Sequence, residues 1–353
     1  MKPNMIKRLI PMLVTLSLVT GLFTGCTNPN ASASKSGFYF DTIIQITLYG
    51  TTKETYIDDC FALAQKYENL FSNTIETSDV SKINANAGNG TYVEVDPETL
   101  SLIEEGITYG DLSGGAFDIT IGKLSDLWNF SEIAENLTSD DNETDASVLP
   151  ADSDIAAAVS HINYKNISIQ GNRVMLTDSD AKLDLGGIAK GYIADRMKEY
   201  LNSKGITSGI INLGGNVMTI GEKADHSAYK VGIQKPFATD GTSIAAVEIK
   251  DKSIVSSGVY ERYYRINGQL YHHILNPKTG YPIDNHLYEV TIISDRSVDG
   301  DALSTTCFAL GLEDGMKLIE NTPDTEAIFI TDDAEIHTTS GIGGTIPMTV
   351  LNQ

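Results

Sequence analysis

Basic residues are scarce in this chain of 353 residues. It has 25 lysines and arginines against 47 aspartates and glutamates, which gives a formal net charge of −22 at pH 7. A nucleic acid or an anionic membrane surface needs a basic face on its partner, so the composition argues against both as partners. A phosphate-bearing ligand needs a dedicated site in so acidic a chain, and we expect a metal ion to help bind it.

Cysteine is also rare, with Cys26, Cys60 and Cys307 as the only three in the sequence. Besides Cys26, two cysteines cannot form a disulfide framework for a chain of this size. The neighbours of Cys307 predict a buried helix position, and we expect no functional thiol.

Long apolar runs are missing except near the N-terminus, where a basic stretch precedes an apolar run over residues 9–23. This run is short for a membrane span and is typical of a signal peptide. Small residues then precede Cys26, which predicts a lipoprotein signal peptide over residues 1–25; an ordinary signal peptide is the alternative. We therefore expect an exported protein, lipid-anchored to a membrane on the extracytoplasmic side, with residues 26–37 as a flexible tether.

Mixed helix and strand patterns predict an α+β domain over residues 38–345. Residues 38–49 are apolar, β-branched and aromatic, which predicts a strand, and apolar residues at helical spacing predict a helix over 57–71. Further short strands and helices follow without regular βαβ alternation, which argues against a doubly wound parallel sheet. Residues 131–154 are acidic and short of aromatics, which predicts a solvated surface insertion.

The most informative segment is a glycine loop that bears a lysine, residues 184–192 (DLGGIAKGY). It ends an apolar stretch and opens an amphipathic helix, so backbone N–H groups and the positive end of a helix dipole meet there. Gly186 and Gly187 let a ligand approach the backbone, and Lys190 adds a cation. The pattern favours a diphosphate site; the alternative is a tight strand-to-helix turn with Lys190 facing solvent.

A second cluster is the sequence DGDALSTT, residues 299–306. If Asp301 lies in the first turn of a helix, Thr305 shares its face four residues later. A carboxylate and a hydroxyl at this spacing can both supply oxygen ligands to Mg²⁺. The alternative is an acid favoured by the helix dipole and a threonine that bonds to the preceding turn.

An adjacent histidine pair, His272 and His273, precedes the turn sequence NPKTG. A histidine at this place can act as a general base or donate to a phosphate, because its pKa lies near working pH. It can equally be a satisfied core residue. The six histidines show no metal-ligand spacing beyond this pair, which argues against a zinc site.

A fourth cluster, GGAFDIT at residues 114–120, combines a glycine turn with Phe117 and Asp118. A ring and a carboxylate presented by such a turn can hold an aromatic heterocycle by stacking and a polar contact. The alternative is a core phenylalanine beside a capping aspartate.

These clusters occur together and in a set order, and in that combination the chain resembles the ApbE family of FAD:protein FMN transferases. The resemblance covers residues 38–345 and rests on the segments FDT, SDVSKIN, GGAFDITIGKLSDLW, LDLGGIAKGYIADR, INLGGN, SSGVYER, HILNPKTGYP and DALSTTCFALG. It implies the fold of that family and an enzyme that uses Mg²⁺ to move the FMN part of FAD onto a Thr or Ser hydroxyl of a target protein, releasing AMP. Within FDT, Phe40 and Asp41 replace the methionine and the glycine usual in the family.

The resemblance also implies roles for single residues. Asp301 and Thr305 would supply side-chain oxygens, and Gly187 its backbone carbonyl oxygen, to Mg²⁺. His273 and Ile274 would lie beside the pyrophosphate of FAD. Further contacts with FAD are expected from the N-terminal motif, the GGAFD turn and the glycine loop: Phe40, Ala116, Phe117, Asp118, Asp184 and Lys190.

The catalytic residues that we predict are His273 and Asp301. A base must accept the proton of the incoming hydroxyl; His273 is the candidate and Asp301 its rival. Two alternatives stay open: Mg²⁺-dependent hydrolysis of FAD to FMN and AMP, and a non-catalytic flavin-binding lipoprotein. The loop lacks the G-x-G-x-x-G spacing of a dinucleotide fold, which argues against a redox role. The resemblance implies membrane-associated electron-transfer subunits as acceptor proteins.

Overall fold

The computed structural model describes residues 31–137, 142–238 and 241–351. These residues form an α+β fold, as predicted. Their helices are α1 (Thr55–Phe71), α2 (Asp79–Ala85), α3 (Pro97–Leu112), α4 (Gly122–Trp128), α5 (Phe130–Asn136), α6 (Asp152–Val159), α7 (Ala189–Ser203), α8 (Ser297–Leu310) and α9 (Leu312–Glu320). None of the described helices is long and apolar enough to cross a membrane. The predicted signal peptide over residues 1–25 and the lipid site at Cys26 lie outside the described residues.

The strands of the described residues form one large sheet and three small ones. They are β1 (Ser32–Tyr39), β2 (Thr42–Tyr49), β3 (Val93–Glu94), β4 (Ile167–Gln170), β5 (Arg173–Leu176), β6 (Ser208–Leu213), β7 (Asn216–Gly221), β8 (Tyr229–Gln234), β9 (Ser243–Ile249), β10 (Ser253–Gly258), β11 (Tyr263–Ile266), β12 (Gln269–His272), β13 (Leu287–Ser294), β14 (Glu326–Thr331), β15 (Ile336–Thr338) and β16 (Met348–Val350). The large sheet has the order β1-β2-β6-β7-β10-β13-β14-β15, and neighbouring strands are antiparallel. The small sheets are β16-β9-β8, β3-β5-β4 and β11-β12.

Helices cover one face of the large sheet, and the β8–β9 hairpin covers part of the other. α8 packs on β10 and β13, and α7 packs on α8. Along β13, Ile292 belongs to the core under the helices, while Ile293 joins the core that includes Val247 of β9. This alternation follows from the two-residue period of a strand. α8 therefore lies in the middle of the molecule, where Cys307 is buried as predicted.

The two helices that carry the predicted site meet at Gly191. A Cβ on Gly191 would lie 2.3 Å from the Ser297 carbonyl oxygen, so the close approach requires glycine. One turn later, the Asp195 carboxylate accepts hydrogen bonds from the N–H groups of Ser297 and Val298 at 2.7 and 3.0 Å. These N–H groups have no partner within α8, so Asp195 caps that helix from α7. Burial raises the pKa of Asp195 to about 6.

The N-terminal prediction is corrected by the structure. Residues 38–49, predicted as one strand, are the end of β1, a turn and β2, which together form a hairpin. The tether predicted over residues 26–37 is wrong for residues 32–37, which belong to β1. β1 is rich in serine, so its sequence has little strand propensity; pairing with β2 makes it a strand. Residues 26–30 lie outside the described residues.

The acidic segment 131–154 is partly folded into the domain. Its described residues include most of α5 and the beginning of α6, and Ile133 and Val148 pack on the core around Trp128. The prediction of a solvated insertion is therefore wrong for these apolar side chains. Residues 138–141 lie outside the described residues.

Candidate active site

The glycine loop leads from a buried residue, Leu185, into α7, as predicted. Gly186 and Gly187 are exposed and present their backbone to solvent. The Asp184 carboxylate accepts a hydrogen bond from the Gly186 N–H at 2.8 Å, which holds the bend of the loop. No side chain caps α7 from within its own sequence. The amide end of this helix is therefore open to a partner from elsewhere.

Asp301 of α8 is that partner. Its Oδ2 accepts the Gly191 N–H at 2.5 Å, and its Oδ1 accepts an N–H of the Asn216 side chain at 2.9 Å. Gly191 is the third residue of α7, so its N–H has no acceptor within that helix, and Asp301 supplies one. Among the described residues, no hydrogen bond ends on the carbonyl oxygen of Gly187. That oxygen is left for another ligand.

These groups fit the predicted Mg²⁺ site. Asp301 and Thr305 lie four residues apart on α8, and Thr305 Oγ1 is 3.3 Å from Ser257 Oγ. Gly187 offers a third oxygen, since its carbonyl has no hydrogen bond. Carboxylate, hydroxyl and carbonyl oxygens are the donors that Mg²⁺ takes, and its other positions go to phosphate oxygens and water. The residues fit the ion, and their role as ligands stays a prediction.

Two cations offset the acids around this site. Lys190 and Arg262 both favour the ionised form of Glu261, and Lys190 does the same for Asp301. At Asp301, which is buried, burial acts in the opposite direction and is the larger effect, so the pKa of Asp301 is raised. Within the described part of the chain, Lys190 is in no salt bridge. Its charge is therefore available to an anionic ligand.

The adjacent histidines separate into a core residue and a site residue. His272 is buried, with Nε2 2.9 Å from the Ile283 carbonyl oxygen. His273 keeps part of its surface open, and its Nδ1 lies 3.3 Å from the Arg262 carbonyl oxygen. A ring nitrogen that faces a carbonyl oxygen carries the proton, which leaves the Nε2 lone pair free. Burial and the Arg262 charge hold the pKa of His273 well below its usual range, so the ring is neutral.

The GGAFD turn packs against the glycine loop. Phe117 is buried, and a Cβ on Gly187 would lie 3.1 Å from its ring. Asp118 Oδ1 accepts from the Thr120 N–H and hydroxyl at 2.8 and 2.6 Å, and Oδ2 accepts from the Tyr164 N–H at 2.9 Å. Both oxygens thus hold the turn in place, as in the capping alternative. Direct contact of Phe117 and Asp118 with FAD stays a prediction.

The other predicted FAD contacts on this side differ in burial. Ala116 and Asp184 are half-buried, and Ile274 is buried. Burial raises the pKa of Asp184, an effect that the bond from Gly186 opposes. Asp184 is therefore desolvated although part of its surface is open. This combination is expected for the wall of a cleft, with protein on most sides and water on one.

Phe40 lies in the turn of the β1–β2 hairpin. Phe40 and Asp41 have φ angles of 53° and 55°, the left-handed values of a two-residue hairpin turn. The next residue, Thr42, lies against Gly214, where an added Cβ would be 2.1 Å from Thr42 Oγ1. The hairpin turn is thereby placed beside the β6–β7 turn, and its contact with FAD stays a prediction.

Three residues at the site have no assignment from sequence: Asn216, Glu261 and Arg262. The Asn216 side chain donates a hydrogen bond to Asp301. The Arg262 carbonyl oxygen lies beside Nδ1 of His273. Glu261 lies close enough to Lys190 and Asp301 for their charges to act on it. They stand in the segments INLGGN and SSGVYER. The sequence offered one sign for Asn216, which is a polar residue directly after a Gly-Gly turn. Nothing in the spacing of the sequence indicates that these three residues lie near α8.

A second group of possible metal ligands is formed by His161, Asp178 and Asp180, whose ligand atoms lie within 4.8 Å of one another. His161 Nδ1 is 2.9 and 3.0 Å from the two oxygens of Asp178, so a hydrogen bond from the ring accounts for that contact. Asp180 is exposed. This group shares no residue with the glycine loop or α8.

The chain matches a family model and curated relatives over most of its length. The ApbE family model matches residues 40–329. A relative from Klebsiella pneumoniae, named FAD:protein FMN transferase, is 35% identical over 309 residues, which are 87% of this chain and 92% of the relative. A relative of the same name from Treponema pallidum is 31% identical over 301 residues, 81% of this chain and 80% of the relative.

Solved structures share the fold. The ApbE protein from Thermotoga maritima matches with a TM-score of 0.77 at 31% identity, covering 88% of this chain and 97% of that one. The flavin transferase ApbE from Vibrio cholerae matches with a TM-score of 0.76 at 26% identity, covering 88% and 98%. The chain therefore belongs to the ApbE family.

Proposed function

We propose that this chain is an FAD:protein FMN transferase that uses Mg²⁺, moves the FMN part of FAD onto a Thr or Ser hydroxyl of a target protein, and releases AMP. The observation that carries the proposal is the hydrogen bond from the Gly191 N–H to Asp301, which joins the glycine loop to α8. Relatives that match over most of the chain support the reaction class, because they are named for it.

The proposed reaction is attack of the hydroxyl oxygen on the phosphorus atom of the FMN phosphate. One P–O bond forms to the acceptor, the P–O bond to the bridging oxygen breaks, and AMP leaves with that oxygen. The hydroxyl proton passes to a base. Such a transfer depends on positioning and on neutralising charge at the phosphate oxygens. Bound Mg²⁺ would supply that neutralisation at the diphosphate and at the leaving AMP.

The groups of the chain that would hold the diphosphate are the N–H groups of the glycine loop and the Lys190 ammonium, since both attract anions. Asp301, Thr305 and the Gly187 carbonyl oxygen would hold the ion. Removal of one charge stabiliser of this kind costs on the order of 10²–10³ in rate.

His273 is the base that we propose. Its Nδ1 is engaged by the Arg262 carbonyl oxygen, so the neutral ring offers Nε2 as an acceptor. Asp301 is less suited to the role, because both of its oxygens already accept hydrogen bonds and a metal would use further lone pairs.

We also propose that the acceptors are membrane-associated electron-transfer subunits and that a lipid on Cys26 anchors the chain on the extracytoplasmic side. Both proposals rest on the family resemblance and on the leader pattern over residues 1–25. Fractionation of cells that express Cys26→Ser tests the anchor. We expect that variant to leave the membrane fraction; retention at the wild-type level would contradict a lipid on Cys26.

The reaction is tested by measuring AMP and protein-bound flavin together, with FAD, Mg²⁺ and an acceptor polypeptide that carries a single threonine. We expect equimolar AMP and covalent flavin with this acceptor, and little AMP without it or with its Thr-to-Ala form. AMP at the same rate in all three would show that water is the acceptor. FAD binding without AMP in any of them would show a flavin-binding protein with no transferase activity.

A further inference from the structure

We infer that Asn216 is a positioning residue of the metal site, which holds the Asp301 carboxylate in the orientation that binds the ion. The inference rests on the proposed function and adds to it a residue that acts through Asp301. Three hydroxyl and amide side chains carry it, Asn216, Ser297 and Ser253, which we call the Asn216 relay.

The Asn216 side chain is fixed at both ends. It is 1% exposed, at the first residue of β7. Its Nδ2 donates to Asp301 Oδ1 at 2.9 Å, and its Oδ1 accepts from the Ser297 hydroxyl at 2.7 Å. The Ser253 hydroxyl in turn donates to Ser297 Oγ at 2.8 Å. Rotation of the Asn216 amide would leave buried polar atoms unpaired, so the relay has one arrangement.

The β6–β7 turn brings Asn216 to this place. Leu213 pairs with Asn216, so the turn has two residues, Gly214 and Gly215, with φ angles of 57° and 93°. Both angles favour glycine. Because the turn has only two residues, β7 begins directly after it. The side chain of the first residue of β7, Asn216, then lies against α8.

The effect on Asp301 follows from the two donors. The Gly191 N–H holds Oδ2 and the Asn216 amide holds Oδ1, so rotation of the carboxylate plane breaks at least one bond. Each oxygen keeps a further lone pair, and that pair has a fixed direction. Removal of a partner that orients a metal ligand in this way typically lowers the metal affinity by about 10–100-fold. Mg²⁺ demands near-ideal octahedral geometry and Ca²⁺ does not, so a loosened Asp301 should lose Mg²⁺ in preference to Ca²⁺.

The chemistry at position 216 requires an amide. An aspartate there would set a second carboxylate against Asp301 and remove the donated N–H. An alanine would leave both Asp301 Oδ1 and the Ser297 hydroxyl without their partner. Neither variant removes the Gly191 N–H that donates to the other oxygen.

The matched control is Asn212, on β6 of the same hairpin. It is half-buried, and its Oδ1 accepts the Gly215 N–H at 3.1 Å. Asn212→Asp introduces the same charge into the same hairpin as Asn216→Asp, but at a residue that does not bond to Asp301.

The experiment uses the purified chain with FAD and measures Mn²⁺ binding by electron paramagnetic resonance, followed by displacement with Mg²⁺ and with Ca²⁺. We expect Asn216→Ala and Asn216→Asp to weaken Mn²⁺ and Mg²⁺ binding at least about tenfold, to weaken Ca²⁺ binding less, and so to reduce the preference for Mg²⁺. Asn212→Asp should retain both the affinity and the preference. Ser297→Ala, which leaves the Asn216–Asp301 bond in place, should show a smaller change in the same direction; it replaces the Asn216 variants if thermal unfolding shows that they do not fold.

Folded Asn216 and Ser297 variants with wild-type metal affinity and preference would overturn the inference and leave the proposed function standing. An equal loss in Asn212→Asp would also overturn it, because the loss would then not depend on the bond to Asp301. A wild-type chain that binds no Mn²⁺ with FAD would overturn the proposed metal site, and the inference with it.

Discussion

Replacement of Gly191 by alanine separates helix propensity from tertiary packing. Propensity alone predicts that Gly191→Ala stabilises α7 by about 1 kcal/mol. The structure predicts the opposite sign, because the new Cβ would lie 2.3 Å from the Ser297 carbonyl oxygen and 2.6 Å from the Val298 nitrogen. Both atoms are backbone, so they cannot rotate away.

The magnitude follows from the displacement that relieves this contact. Ordinary contact begins near 3.4 Å, so α7 and α8 must separate by roughly 1 Å. Overpacking of this kind costs about 1–3 kcal/mol. The same movement lengthens the Gly191 bond to the buried Asp301 carboxylate, and loss of a charged hydrogen bond costs about 1.5–3 kcal/mol more. After the gain in propensity, we expect the free energy of unfolding to fall by about 1.5–5 kcal/mol.

Urea unfolding followed by circular dichroism measures this change, with Gly344→Ala as the control. A Cβ on Gly344 meets its nearest neighbours at 3.6 and 3.9 Å, which is ordinary contact, so that variant should stay within about 0.5 kcal/mol of wild type. A Gly191→Ala protein as stable as wild type, or more stable, would refute the packing of α7 on α8 described above.

Further predictions concern a buried acid, a hairpin turn and the loop lysine. Burial raises the pKa of Glu289 from 4.5 to about 7. A carboxyl group whose pKa is raised in the folded state stabilises that state at low pH, where the group is protonated. The contribution of Glu289 to the free energy of unfolding is therefore lost as the pH rises from 4.5 to about 7, by about 3 kcal/mol in all. Glu289→Gln should remove that part of the pH dependence. Urea unfolding of the variant at about pH 5 and about pH 8 measures it, and a difference as large as that of the wild type would contradict the prediction. Asp41→Gly should raise the free energy of unfolding by up to about 1 kcal/mol, because φ is 55° there; a decrease would show that the Asp41 side chain stabilises the turn. Lys190→Gln should weaken FAD binding, followed by flavin fluorescence, at least about tenfold. Lys198→Gln, about two turns further along α7 and paired with Asp251, should not. Equal affinities of the Lys190 variant and the wild type would remove Lys190 from the phosphate contacts.

The sequence predicted elements whose residues determine them locally. Apolar spacing predicted a helix over 57–71, and the structure has α1 at Thr55–Phe71. The glycine loop also predicted the start of α7, because Gly186 and Gly187 can bend where other residues resist. β1 could not be predicted in this way, since its serines are not strand formers and β2 supplies the pairing. The left-handed turn at Phe40 and Asp41 could not be predicted either, because neither residue is glycine.

The sequence placed the candidate metal ligands on one helix, but it could not predict how distant segments meet around them. Asp301 and Thr305 share a helix face by their spacing, which the sequence shows. The bond between Asp301 and Gly191 spans 110 residues, and the one between Asp301 and Asn216 spans 85, so neither leaves a local pattern. The two histidines illustrate the same limit: which of His272 and His273 enters the core depends on the pleat of β12 and on the chain packed behind it.

We propose that the glycine loop and α8 together hold an ion against the diphosphate of FAD. Phosphorus magnetic resonance of FAD bound to the chain, with Mn²⁺ added in place of Mg²⁺, tests it most directly, because a paramagnetic ion broadens the signals of phosphorus atoms close to it. We expect broadening of both FAD phosphorus signals in the wild-type protein and its loss in Asp301→Asn, with FAD still bound. Unbroadened signals in the wild type, or broadening that persists in Asp301→Asn, would contradict it.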